Sequence, residues 1–169
     1  LTGMDVSNAS MYDGASALAE AALMGCRVKR KNQKVAAASN MHPEYLEVLK
    51  TYLKWADIPL VEVDMGENGR VDPEDLSEKI EGCAVFMFQN PNFFGVIEDG
   101  ENLCSIAHEH GAFSGVSADP VSLGILAKPG EYGADMVTGE GQSLGSPPYF
   151  GGHGFGFYTA KNDFIRTVP

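Results

Sequence analysis

Residues 34–63 read KVAAASNMHPEYLEVLKTYLKWADIPLVEV. Lys34-Val35-Ala36-Ala37-Ala38-Ser39 is a short apolar run bounded by polar residues. From Pro43 to Trp55, Tyr45, Leu46, Val48, Leu49, Tyr52 and Leu53 recur at helical spacing. Pro43 suits the first helical turn, where its missing N–H costs nothing. Ile58 precedes Pro59 and is pushed towards extended geometry, so Leu60-Val61-Glu62-Val63 reads as a second strand. This is a strand–helix–strand unit.

The alternation continues on both sides. Downstream, Asp72-Pro73-Glu74-Asp75 is a helix start, with a capping Asp, Pro at the first position and acids in the first turn. Leu76 and Ile80 share one face of that helix. Ala84-Val85-Phe86-Met87-Phe88 is a continuous apolar strand of the kind expected when both sheet faces are covered. A further helix is expected from about Gly100 to His110, stopping at Gly111. Ala112–Ala118, Asp135–Thr138 and Gly154–Thr159 supply more strands. Upstream, Asp13 can cap a helix running through Gly25, whose alanines allow close approach to a sheet, and Met4-Asp5-Val6 reads as a short strand before it. Such alternation implies an α/β fold: a mostly parallel sheet with right-handed crossovers and helices on both faces.

Composition bounds the function. The chain of 169 residues carries 12 Lys+Arg against 23 Asp+Glu, a net charge of -11. That balance argues against a general nucleic-acid binder and against an anionic membrane surface. No apolar run approaches the roughly 20 residues of a membrane span, and no secretory signal pattern is visible. Cys26, Cys83 and Cys104 are far apart and form no Cys-x-x-Cys pair, so a reducing compartment, the cytoplasm, is expected, with neither a disulfide framework nor a structural metal site. At this length the chain is one α/β domain, 1–169. Leu1 and Pro169 do not resemble natural ends, and a piece of a longer protein is expected.

Ligands of such sheets bind at the carboxyl ends of the strands. Four polar clusters follow the strands: Ser39-Asn40-Met41-His42, Gln89-Asn90-Pro91-Asn92, Asp119-Pro120 and Gly139-Glu140-Gly141-Gln142-Ser143. Gly141-Gln-Ser143-Leu-Gly145 satisfies the G-x-S-x-G pattern, but Pro147 and Pro148 block the helix a nucleophile elbow needs, and His153 follows too closely. The same prolines rule against a dinucleotide fingerprint at Gly139. His108-Glu109-His110 does not place both histidines on one helix face and reads as a solvated helix end. The basic run Arg27, Lys29, Arg30, Lys31 and Lys34 reads as a solvated connection. Asp119 ends an apolar strand: it either caps local backbone or faces a ligand cation such as a pyridinium nitrogen. Asp13-Gly14-Ala15-Ser16 is either an ordinary cap or a helix start that offers N–H groups and a hydroxyl to a phosphate.

Several segments together resemble one family. They are Leu1-Thr-Gly-Met-Asp-Val-Ser-Asn-Ala-Ser-Met-Tyr-Asp-Gly-Ala-Ser16, His42-Pro43, Ala118-Asp119-Pro120-Val-Ser-Leu-Gly, Gly139-Glu-Gly-Gln-Ser-Leu-Gly145 and Phe150-Gly-Gly-His-Gly-Phe-Gly-Phe157. They resemble the P protein of the glycine cleavage system, decarboxylating glycine dehydrogenase, and within it the subunit 1 type. The resemblance implies the aminotransferase-like (fold type I) large domain of pyridoxal-phosphate enzymes, with a seven-strand sheet whose last strand is antiparallel. The N-terminal segments and C-terminal small domain of the family are not expected in this chain. In the family, pyridoxal phosphate forms a Schiff base with glycine, CO2 leaves, and the aminomethyl group passes to the lipoyl arm of the H protein.

One departure sets the role that the resemblance implies. Catalytic subunits carry a His-Lys-Thr segment after the sixth strand, and its lysine holds the cofactor. Lining up Pro147 and the preceding strand puts Gln142 there, and an amide cannot form a Schiff base. Asp119 matches the pyridinium partner, His42 the residue stacked on the ring, and Ser16 lies near the phosphate end. The resemblance thus implies a non-catalytic half of a split enzyme with a degenerate pocket. Pyridoxal phosphate is expected on glycine dehydrogenase subunit 2, with none covalently bound to this chain, and the lipoylated H protein is the further partner. Two alternatives stand beside it: a stand-alone pyridoxal-phosphate enzyme using Lys128 or Lys161, and a purely structural partner subunit.

Overall fold

The computed structural model describes residues 1–30, 33–147, 150 and 154–169. Its elements run β1 (Val6–Ser7), α1 (Gly14–Lys29), β2 (Lys34–Ala38), α2 (Pro43–Trp55), β3 (Leu60–Val63), α3 (Pro73–Lys79), β4 (Cys83–Gln89), α4 (Gly100–Glu109), β5 (Phe113–Ser117), β6 (Met136–Glu140) and β7 (Gly156–Ala160). They build a 7-stranded sheet in the order β1-β7-β6-β5-β4-β2-β3. Strands β2 to β6 are parallel to one another, and β7 runs antiparallel to β6 and β1.

The chain direction follows from the crossovers. The β2–α2–β3 step moves one way across the sheet, while β3–α3–β4 and β4–α4–β5 move the other way. Right-handed connections then put α2 on one face and α3 and α4 on the opposite one. The packing agrees: α1 lies across β4 to β7 and against α2, while α3 packs on α4. Strand β4 is covered on both sides, with every residue from Cys83 to Phe88 fully buried. Helix α1 is sandwiched between the sheet and α2, which is why Ala17, Leu18, Ala19, Ala21, Ala22 and Met24 are all excluded from solvent. A helix apolar on all sides belongs in such a position. Helix α2 is one-sided instead: Leu46, Leu49 and Leu53 are buried, and Lys50 pairs outside with Glu47 and Glu62.

Helix α1 does not stop at Gly25 as its sequence suggests. It continues to Lys29, with Arg27 and Lys29 in its last turn, where cations favour the helix C-terminus. Gly25 is a point of close approach: a Cβ there would lie 3.0 Å from the Cβ of Val85. The basic run is therefore half helical, and its Lys31 lies outside the described residues.

His108 is not simply solvated either. Its Nε2 lies 2.8 Å from Oδ2 of the buried Asp135, whose other oxygen accepts from Lys161 Nζ at 2.7 Å. Oδ2 also accepts the backbone N–H of Ser114 at 2.9 Å. This network joins α4, β5, β6 and β7 at the amino edge of the sheet. Burial raises the Asp135 carboxyl, but the bonds from Lys161, Ser114 and His108 outweigh it and hold it below the ordinary carboxylate range.

Candidate functional site

Because β2, β4, β5 and β6 are parallel, the segments that follow them meet at one edge. A cavity of about 220 Å³ opens there, lined by His42, Tyr45, Gln89, Asp119, Glu140 and Gln142 among others. It is smaller than the roughly 300–1,000 Å³ usual for small-molecule pockets.

Each side chain is placed by its element. His42 caps α2, its Nδ1 accepting the N–H of Glu44 at 3.2 Å, and its ring packs against Tyr45 and Phe93. Its own N–H donates to Gln89 Oε1 at 2.8 Å. The loop is fastened from below by the buried Glu98, which accepts from the side-chain amides of Asn40 and Asn92, each at 2.7 Å, and from the N–H of Val71 at 3.0 Å. Tyr45 stands one helical position after Glu44, on the turn that faces the cavity. Burial first, then the carboxylates of Glu140, Asp13 and Asp119, push its phenol up to about 12.

Asp119 follows β5 and is solvent-exposed, unlike the buried strand before it. Its charge therefore needs no cationic partner. Its Oδ1 accepts from the N–H of Val121 and from the hydroxyl of Ser143, each at 3.1 Å. Ser143 sits in a single 3-10 turn, Gln142–Leu144, and donates to a carboxylate rather than to an imidazole, so the G-x-S-x-G match does not build a nucleophile elbow. Pro148 and His153, which entered that reading, lie outside the described residues. The Gln142 side chain folds back and donates to the carbonyl of Ser146.

Ser16 does not line the cavity. It closes a capping box with Asp13: its N–H donates to Asp13 Oδ1 at 2.7 Å, and its hydroxyl accepts from the N–H of Asp13 at 3.2 Å. The α1 start does reach the site through Glu140, whose carboxylate accepts from the N–H of Gly14 at 3.0 Å. The same carboxylate accepts from the N–H groups of Gln142 and Phe155, at 3.0 and 2.9 Å.

The sequence profile of the glycine cleavage system P-protein family matches residues 1–169. The chain belongs to that family. A probable glycine dehydrogenase (decarboxylating) subunit 1 of Desulforamulus reducens is 51% identical over the whole chain, which covers 38% of that relative. Among solved structures, a glycine decarboxylase P-protein in inhibitor-bound form is 42% identical with a TM-score of 0.91, over 99% of this chain and 37% of that one. An apo cysteine desulfurase of Thermococcus onnurineus, 23% identical, shares the fold at a TM-score of 0.71. The P-protein chain described here thus has the fold type I architecture of pyridoxal-phosphate enzymes, and it spans under two fifths of its curated relatives' length.

The fold brings in a cofactor with three requirements, and the residues can be tested against each. A Schiff base needs an amine, and among the described residues no lysine lines the cavity. Lys128 pairs with Glu131, and Lys161 is held by Asp135 at the opposite edge. A pyridinium nitrogen needs a carboxylate, and Asp119 offers one. A phosphate needs free N–H groups at the α1 start, and two of these, on Gly14 and Ser16, are already taken by Glu140 and Asp13. The missing amine decides the test: the described residues lining the cavity do not fit a covalently held pyridoxal phosphate. Among the described residues no group of three acids, histidines or cysteines could hold a metal ion, and no helix is long and apolar enough to cross a membrane.

Of the residues expected from sequence, His42, Asp119 and Gln142 meet in one cavity. Glu140 and Tyr45 were not singled out. Tyr45 was absorbed into the apolar face of α2, and Glu140 into a glycine-rich loop. The available signal was position: Glu140 ends β6, and Tyr45 lies in the first turn of the helix that follows β2.

Proposed function

We propose that this chain belongs to the non-catalytic subunit of a two-subunit glycine decarboxylase, an oxidoreductase of the glycine cleavage system, and carries a degenerate cofactor pocket. In this reading the assembly converts glycine and the lipoylated H protein to the aminomethyl-lipoyl H protein and CO2, in the cytoplasm. Pyridoxal phosphate works on glycine dehydrogenase subunit 2, and this chain forms no covalent bond to it. The rest of the protein supplies the N-terminal segments and the C-terminal small domain.

The observation that carries the reading is a pocket at the carboxyl ends of the parallel strands with Asp119, His42 and Gln142 on its walls and no lysine among the described residues that line it. Gln142 cannot supply the nucleophile. What the chain can do is structural: His42, Tyr45 and the Glu98-fastened loop form a rigid edge against which a partner surface can order.

The test is CO2 exchange with labelled glycine and H protein in four samples: this chain alone, the full-length subunit alone, subunit 2 alone, and the full-length subunit with subunit 2. Turnover is expected only in the fourth. Activity in either of the first two would overturn the reading, as would a pyridoxyl-lysine recovered from this chain after borohydride reduction. Equal activity of subunit 2 with and without the full-length subunit would make the chain a bystander.

A further inference from the structure

We propose that the Glu140 carboxylate occupies the anion position at the start of α1, so that this chain turns phosphate-bearing ligands away by charge and occupancy. The inference rests on the reading of a degenerate pocket and gives it a second, separable cause besides the lost lysine.

Three N–H groups from three segments converge on one side chain. Gly14 opens α1, Gln142 opens the turn after β6, and Phe155 leads into β7; their donors lie 3.0, 3.0 and 2.9 Å from the Glu140 oxygens. Hydrogen bonds to a charged acceptor are about twice as strong as neutral ones, and the N-terminus of α1, a helix of 16 residues, adds its own preference for negative charge. An anion is therefore already in place. The N–H of Ser16, two residues on, is held by Asp13.

There is also no room to share. A Cβ on Gly14 would lie 2.4 Å from the Tyr45 hydroxyl and 2.8 Å from the backbone nitrogen of Glu140. The surroundings are of the wrong sign as well. Asp119 and Glu140 line the cavity and, among the described residues, no Lys or Arg does; burial first, and then the carboxylates of Glu140, Asp13 and Asp119, raise the phenol of Tyr45. A phosphate monoester, carrying about -1.5 to -2 at neutral pH, would face these carboxylates with the N–H groups of Gly14 and Ser16 engaged.

The experiment uses the full-length chain as wild type, Glu140→Ser and Glu140→Gln, titrated with inorganic phosphate, pyridoxal phosphate and pyridoxal by calorimetry. The amide signals of Gly14 and Gln142 are followed by NMR. Wild type should show no saturable phosphate binding and no shift at either amide. Glu140→Ser should bind phosphate and pyridoxal phosphate at least about tenfold more tightly than wild type, one charge-assisted hydrogen bond's worth, with no gain for pyridoxal. Glu140→Gln, which keeps the shape and removes the charge, should gain less. Folded variants that bind phosphate no better than wild type would overturn the inference. So would wild-type binding that moves the Gly14 amide, a measurement that needs no variant to fold. A lysine-bound cofactor on wild type would instead overturn the proposed function. A phosphate gain in Glu140→Ser, together with a subunit 2 that carries no cofactor, would sink that reading alone.

Discussion

Replacing Asp135 should cost the fold an amount that its three partners predict separately. Asp135→Ala strands the N–H of Ser114, a residue fully excluded from solvent; an unpaired buried donor costs about 1–3 kcal/mol. The charged partners count for less. The side chains of Lys161 and His108 are 38% and 40% exposed, so water takes them back, and each pair is worth roughly 0–1 kcal/mol. The sum is about 1–5 kcal/mol out of the roughly 5–15 kcal/mol that holds a domain together. Asp135→Asn keeps an oxygen for Ser114 and should cost only about 0–2 kcal/mol. The sign of the pH dependence follows from the depressed carboxyl. A group lowered in the folded state contributes fully above its unfolded value of about 3.9 and loses that contribution as pH falls through the folded value. The gap between wild type and Asp135→Asn should be open at neutral pH and close in acid below about pH 4. Urea unfolding followed by circular dichroism at several pH values measures both. Equal costs for Ala and Asn, or a gap that widens in acid, would refute the assignment of the Ser114 donor and the depressed carboxylate.

Leu49→Ala, in the buried stripe of α2, should lose about 2–5 kcal/mol in the same unfolding assay. Burial raises the thiols of Cys26 and Cys104 to about 11 and that of Cys83 in the same direction, so a thiol reagent at neutral pH should modify none of them until denaturant is added. Burial also raises Tyr45 and Tyr132 to about 12, and Tyr158 further; because their unfolded forms ionise near pH 10, stability should fall above about that pH. Tyr45→Phe should remove one phenol from the late step of a spectrophotometric titration. Gln142→Lys alone should leave the full-length chain without CO2 exchange, because a nucleophile without placed partners gains little and Glu140 still holds the Gly14 N–H.

The parts of the fold that were legible are those with local causes. Pro43 and Pro73 mark the starts of α2 and α3 because each sits where a helix needs no N–H. Strand β4 is legible because burial on both faces leaves no polar position from Cys83 to Phe88. What failed had causes outside the local window. Gly25 followed by basic residues looks like a helix stop until Val85 is brought against it. His108 looks solvated until Asp135, 27 residues on, arrives beside it. In the site, the turn positions of His42, Asp119 and Gln142 could be read from the end of each parallel strand, whereas Glu140 meets its helix partner across 126 residues.

That distance changes which residue matters most. The sequence argument put the decisive departure at Gln142, since a Schiff base needs an amine. Losing the amine alone would leave an α1 start with open donors and a free pyridinium-type acid at Asp119, a pocket still able to hold the cofactor without a covalent bond. The N–H groups of Gly14 and Gln142, in part-buried surroundings, cannot stay unpaired without cost, up to about 1–3 kcal/mol for a fully buried donor, whereas that of Phe155 is open to solvent. A chain that holds no phosphate must satisfy them in another way, and one carboxylate at position 140 serves all three. The same bonds tie the start of α1 to the ends of β6 and β7, so the side chain that excludes the ligand also supplies the rigidity the ligand would have given. Glu140→Ser should therefore lower stability in the absence of phosphate and recover part of it when phosphate is added, whereas a substitution at Gln142 should show no such dependence. A ligand-dependent rescue at 140 and none at 142 would place the loss of cofactor binding at the anion position rather than at the missing amine.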